Sequence, residues 1–433
     1  MNQKIILKAM QVAIIITAVS ATLAGNLWAK ELFVSTTGSD SVSYANNNIS
    51  NPWLTPQYAW SSAKAGDTVN FRGGTYNITS LINTNSTGNS GTSSAWITFQ
   101  SYPGEYATIR ATASMDVMLQ IAKNYYRVKN IAFDCNALAA RGIGIGWYDS
   151  NNAVTGFEAD GVAVFNWRTG DNACAFYVGS SSAAVRATDV TIKNCAITGA
   201  SNASGLNQNY SGIMVFGADD FHLENNEITQ VRHGIYLKHS SINYYNHGDT
   251  VKNNYIHAMH PSGGNGHASI NLNTNYTTIQ NNILETYIDL GEDAQTGGSV
   301  NGNYCTIVNN TCLSGITLKN DGGSSNNTIR NNIFTYRTIE GGTGNTWDYN
   351  MYSSGSAIGL HDLGNKSPVY TGGSSPSTIS GFALASGSPG KNAASDGKDI
   401  GADITKVGIN SSQASQSDTT APAKPGGVSV KLK

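Results

Sequence analysis

An eight-residue phrase recurs along the chain and constrains its fold more than any other feature. It reads VTIKNCAI (190–197), FHLENNEI (221–228), DTVKNNYI (249–256), TTIQNNIL (277–284), CTIVNNTC (305–312) and NTIRNNIF (327–334). The first asparagines are Asn194, Asn225, Asn253, Asn281, Asn309 and Asn331, so the steps are 31, 28, 28, 28 and 22 residues. Weaker copies, YRVKNIAF (126–133) and AVTGFEAD (153–160), extend the series backwards. A fixed period of this length is the mark of a solenoid, because one such unit cannot bury an apolar face alone and a stack of them can. Stacked amides at a corner of the coil account for the repeated asparagine.

A second phrase is interleaved with the first: GIGIG (142–146), AFYVG (175–179), GIMVF (212–216), GIYLK (234–238), SINLN (269–273), YIDLG (287–291) and GITLK (315–319). Apolar and variable positions alternate, which places the Ile/Leu/Val pair inside and the intervening residues outside. The expectation is two short strands per coil in an all-β, right-handed parallel β-helix, one domain spanning residues 30–408. Aligned rungs make one outer column of Gly144, Tyr177, Met214, Tyr236, Asn271, Asp289 and Thr317. The next column is Gly146, Gly179, Phe216, Lys238, Asn273, Gly291 and Lys319. Excursions at 157–172, 198–211 and 257–268 are expected to wall this surface into a groove. A helix over about Thr55 to Ala65 is expected to cover the open N-terminal end.

The two ends read differently. Residues 1–29 carry Lys4 and Lys8, an apolar run from Ala9 to Gly25 and the exit Leu27-Trp28-Ala29, the pattern of a cleaved signal peptide. Residues 409–433, rich in Thr, Pro and Lys, lack the repeat and read as a linker or tail. Only 12% of residues are charged and the net charge is -2, so there is no basic footprint for nucleic acid. No further segment reads as a membrane span, and the expected product is a secreted monomer. Cys135, Cys174, Cys195, Cys305 and Cys312 lack zinc-site spacing and read as small buried residues, with a Cys305–Cys312 bridge left open.

The stretches LFVSTTGSDS (32–41), NPWLTPQYA (51–59) and AGDTVNFRGGTY (65–76), with the tail SGSPGKNAASDGKDIGAD (386–403), resemble the opening and closing of secreted proteins of the pectate-lyase superfamily. What the resemblance implies is an anionic, uronate-containing polysaccharide as substrate, cleaved by β-elimination. The DGFD-type calcium loop of pectate lyases has no counterpart. GIYLKHS (234–240) looks like the lysine strand of alginate-lyase and chondroitinase-like families, while SINLNTN (269–275) puts Asn273 where those families carry arginine.

β-Elimination needs a base for the C5 proton, a group to offset carboxylate charge and a donor to the leaving oxygen. Lys238 is the candidate base, since lysine serves once its surroundings lower its pKa. Arg232, His239, Tyr236 and Lys319 are the other candidate catalytic residues. Tyr177, Phe216, Asn271, Asn273 and His267 are candidates for holding sugar. Asp289, Glu292 and Asp293 crowd oxygen ligands on one turn and suit calcium. His257, His260 and His267 supply enough ligands for a transition metal, on a glycine-rich spacing. Asp219-Asp220 resembles the paired acids of β-helix hydrolases, which keeps a glycoside hydrolase open beside a non-catalytic glycan-binding protein.

Overall fold

The computed structural model describes residues 29–146, 153–179, 187–202, 206, 209–238, 249–260, 267–291, 302–319 and 324–409. Its coils carry three strands each, where the sequence pattern suggested two. The asparagine pair splits the first phrase, so one coil runs Thr250–Lys252, then Tyr255–Ile256, then Ile270–Leu272. Each strand pairs in parallel with its equivalent in the next coil: Thr278–Gln280, Ile283–Leu284 and Ile288–Leu290. The first strands build a 12-stranded sheet. The second and third faces merge into one 19-stranded sheet because Thr311–Leu318 and Ile333–Ile339 run through both without a break. This is a parallel β-helix, right-handed by the general rule for parallel crossovers.

The two asparagines of each phrase do different work. The first turns the corner in the left-handed region, with φ of 55°, 55°, 60°, 57°, 56° and 58° from Asn194 to Asn331, which asparagine tolerates better than other side-chain-bearing residues. The second points inward and is fully buried at Asn226, Asn254, Asn282, Asn310, Asn332 and Asn350. Its Oδ1 accepts from the backbone N and the Nδ2 one rung below, as Asn282 does from Asn254 at 2.9 and 3.0 Å. Its own Nδ2 donates to the carbonyl of Val251 at 2.9 Å. The ladder begins at Cys195, whose backbone N donates to Asn226 Oδ1, and ends on Asp362. All five cysteines are buried and free.

Inside, Ile235, Ile270, Ile288 and Ile316 stack in one fully buried column, and Leu237, Leu272, Leu290 and Leu318 in another. Each such side chain contributes about 1.5–3 kcal/mol by leaving water. The helix Pro56–Ser62, shorter than expected and capped by Thr55, closes the N-terminal end. Its Trp60 stacks on Phe99 at 4.1 Å.

The outer faces are treated differently, and this positions the site. The first face is wet and laced by ion pairs such as Lys252–Glu224 at 2.8 Å and Arg127–Glu158 at 3.6 Å. The second is covered by the returning C-terminal segment, where Phe382, Leu384, Ile400 and Val407 pack with Tyr255, Ile283, Ile333 and Met351. That segment bonds to the corner asparagines: Gly401 N to Asn331 O, Asp403 N to Asn281 Oδ1, and Gly408 N to Asn253 O. The third face carries the second phrase.

Candidate functional site

Third-face rungs stack in the register that the alternation implied. Gly144 pairs with Tyr177, Tyr177 with Met214, Met214 with Tyr236, Tyr236 with Asn271, Asn271 with Asp289 and Asp289 with Thr317. Phe216 pairs with Lys238, and the ladder continues through Asn273 N to Leu237 O, Gly291 N to Leu272 O and Lys319 N to Leu290 O. Residues more than 140 positions apart in sequence, Tyr177 and Lys319, therefore share one wall.

Outward does not mean exposed here. Met214, Asn271 and Asn273 are 0% exposed, Asp289 3%, Tyr177 5% and Tyr236 7%. Only the Phe216–Lys238 margin and Lys319 are half-buried. The outer wall expected from the alternation is thus largely buried. Part of the excursion expected at 157–172 is regular structure, the strands Thr155–Asp160 and Ala163–Phe165, and residues 166–173 alone project.

That short projection shapes the site. Lys238 Nζ donates to Asn172 Oδ1 at 2.9 Å and lies 4.8 Å from the Tyr236 ring centroid and 5.1 Å from that of Phe216. Phe216 stacks on Tyr177 at 5.4 Å. Arg141 follows on the other side: its Nε donates to Asn172 O at 3.0 Å, its Nη1 to Asp116 Oδ1 at 2.6 Å, and its guanidinium sits 5.2 Å from the Tyr177 ring. Two cations thus interleave with three aromatic rings, an arrangement worth about 0.5–2 kcal/mol per desolvated pair. Burial pushes the Cys174 thiol behind them up to about 12, with Arg141 opposing. Sequence reasoning missed Arg141, Asp116 and Asn172. Arg141 immediately precedes the repeated phrase GIGIG (142–146), three positions before Gly144 and outside the columns considered.

The remaining candidates are dispersed. Arg232 lies six positions before Lys238, at the opposite end of the strand His233–Lys238, where its Nη1 donates to Leu206 O. Beside it, burial and then the Arg232 charge hold His267 below the ordinary histidine value. The buried His267 Nδ1 and Arg232 Nε have no hydrogen-bond partner among the described residues. Lys319 stands three rungs from Lys238, about 14 Å at the spacing of strands. Asn273 Nδ2 donates to Asn271 Oδ1 at 3.2 Å. His239, Glu292 and Asp293 lie outside the described residues, as does the segment 1–28.

The histidines do not converge. His257 Nε2 meets Glu227 Oε1 at 3.1 Å and His260 Nε2 meets Ala200 O at 2.6 Å. No group of three metal-ligating side chains occurs among the described residues. Asp219 and Asp220 belong to the strand Ala218–Glu224 of the first face, with Asp220 Oδ1 3.4 Å from His222 Nε2, away from the wall.

No family model matches the chain, and no curated protein does. Among solved structures it is similar to an alginate lyase from Paenibacillus sp. str. FPU-7, at 18% identity over 68% of this chain and 94% of that one, with a TM-score of 0.48. It is similar to pectate lyase Pel9A at 14% identity over 87% of this chain and 97% of that one, TM-score 0.43. A GH136 lacto-N-biosidase from Eubacterium ramulus is similar at 12% identity over 74% and 67%, TM-score 0.45. These neighbours are parallel β-helix proteins, lyase and hydrolase alike, and leave the chemistry to the residues of this chain.

Proposed function

We propose that this protein is an exported, monomeric polysaccharide lyase that cleaves a uronate-containing glycan by β-elimination along the third face. The observation that carries the reading is the Lys238 ammonium, held at the accessible margin of the wall between two aromatic rings and an amide oxygen. In the neutral form Lys238 takes the C5 proton of a uronate. The C4–O bond then breaks, a C4=C5 double bond forms, and Tyr236 gives its hydroxyl proton to the departing oxygen.

Phe216 stacks a sugar beside the reacting one, with Tyr177 packed behind it. His239, next in the chain, holds the carboxylate, and Lys319 meets the carboxylate of a sugar further along. Arg232 and His267, at the far end of the strands, contact the chain away from the scissile bond. Calcium belongs to the proposal as an aid to carboxylate binding. Asp289 is a buried carboxylate with the Asn271 and Asn273 amides on the adjoining rung, and Glu292 and Asp293 would complete the set with it.

The test is a panel of pectate, alginate and glycosaminoglycans, with and without chelator, on the wild type, Lys238→Ala and Lys319→Ala. The expected result is ultraviolet absorbance of an unsaturated uronide, reduced about 10²–10⁴-fold by Lys238→Ala. Absence of that absorbance on every polymer overturns the lyase reading, and reducing ends released without it point to hydrolysis.

A further inference from the structure

At or just inside the start of the first-face strand, the described coils from Arg127 onward hold one backbone position at positive φ. It lies two residues before the outward column that runs Arg127, Glu158, Thr191, His222, Thr250, Thr278, Thr306, Thr328 and Thr346. The described residues there are Tyr125 (59°), Gly156 (76°), Asp189 (55°), Asp220 (55°), Tyr276 (58°), Tyr304 (56°), Asn326 (58°) and Gly344 (70°). Glycine, aspartate and asparagine suit this conformation, and a bulky aromatic does not. Tyr125 has a packing reason to be there, with its ring set edge-on to Trp96 at 5.4 Å. Tyr276 and Tyr304 sit on adjacent rungs with rings parallel to 6° and centroids 5.0 Å apart, and Tyr304 is 51% exposed. Strain retained by a bulky, solvent-facing residue points to a use outside the fold's own packing.

We propose that the Tyr276–Tyr304 pair is a carbohydrate-binding platform, outside the third-face wall, that takes the apolar C–H face of a pyranose ring in a polysaccharide. The exposed Tyr304 ring supplies the stacking face, with Tyr276 stacked behind it at 5.0 Å, and the neighbouring outward Thr278, Thr306 and Gln280 supply hydrogen-bonding groups for ring hydroxyls. The surrounding first face is polar, with Thr250, Lys252 and Arg330 beside the platform, so it lacks the apolar core of a protein interface. The inference rests on the lyase reading only in taking the ligand to be a glycan.

The experiment is affinity electrophoresis through gels containing polygalacturonate, alginate or hyaluronan. Lys238→Ala serves as the host, so that turnover does not erode the polymer, with Tyr304→Asn and Tyr276→Asn added singly. The platform predicts retardation by at least one polymer, weakened about tenfold by either tyrosine replacement, the loss usual for an exposed aromatic anchor. It also predicts that Tyr304→Asn melts no lower than its host, since asparagine fits the backbone better. Retardation unchanged by either replacement, retardation absent from all three gels, or a lowered melting temperature in Tyr304→Asn overturns the proposal. So does a change of oligomeric state on gel filtration, which would make the pair a contact between copies. Tyrosine-dependent retardation from a protein that yields no unsaturated product leaves the platform standing while the lyase reading falls.

Discussion

Replacing Asn282 by alanine tests whether the buried amide ladder holds the coils in register. Asn282 is 0% exposed, and its Oδ1 is the acceptor for both Asn254 N and Asn254 Nδ2. Its Nδ2 donates to Val251 O at 2.9 Å, Gln280 O at 3.1 Å and Asn310 Oδ1 at 2.9 Å. Alanine orphans the buried Asn254 N–H at about 1–3 kcal/mol, leaves Asn254 Nδ2 with Leu223 O as its remaining acceptor, and removes the donor shared by three acceptors. Partial relief by movement of Asn254 leaves a loss of about 3–5 kcal/mol. Asn253→Gly, one residue earlier in the neighbouring coil, removes a corner side chain at φ 60° and is expected to cost under about 1 kcal/mol, because glycine adopts that backbone freely. Urea unfolding followed by tryptophan fluorescence and circular dichroism measures both, with coincidence of the two transitions as the check on two-state behaviour. Asn254→Ala combined with Asn282→Ala should cost less than the sum of the singles, since they share partners. A loss below about 1 kcal/mol for Asn282→Ala, or equal losses at positions 253 and 282, would refute the ladder as a source of stability.

Other consequences are equally direct. A Cβ on Gly179, which has φ +90°, would stand 1.4 Å from Phe216 O, so Gly179→Ala should abolish soluble expression. Gly387→Ala, at φ +87° with nothing within 4 Å, should express with only the strain of about 1–2 kcal/mol, and equal tolerance would contradict the close approach of those rungs. Burial pushes Cys305 and Cys312 up to about 12, so native protein should resist thiol reagents at neutral pH and react fully once unfolded. His267 is held below its ordinary 6.5 first by burial and then by Arg232, so the unfolded chain takes up that proton before the folded one. The stability tied to it is complete above 6.5 and lost as pH falls through the lower folded value, and His267→Gln should flatten that part of a melting-temperature profile. An unchanged profile would dissociate the decline from this residue.

Much of the wall was legible because β-strands alternate with period 2 and each coil lies directly on the last. Tyr236, Asn271 and Asp289 could be aligned by their Ile/Leu neighbours alone. The third strand per coil was not legible, since Tyr255–Ile256 spans two residues and carries no periodicity of its own. Nor was the division of labour in the asparagine pair, where the same side chain turns a corner at Asn253 and builds a buried ladder at Asn254. Arg141 and Asn172 escaped notice because what they contact, Tyr177 and Lys238, comes from other coils.

Local pattern by itself determined the solenoid, its rung register and the identity of the residues that face outward, because repeat spacing and side-chain alternation are properties of short segments. Only the tertiary structure decided which outward residues meet solvent. Burial depends on what a distant segment lays over a face: the returning C-terminal segment on the second and the 166–173 projection beside Lys238 on the third, while the first carries surface ion pairs among the described residues. A side chain's orientation is set by its neighbours in sequence, while its surroundings are set by chain that arrives from elsewhere.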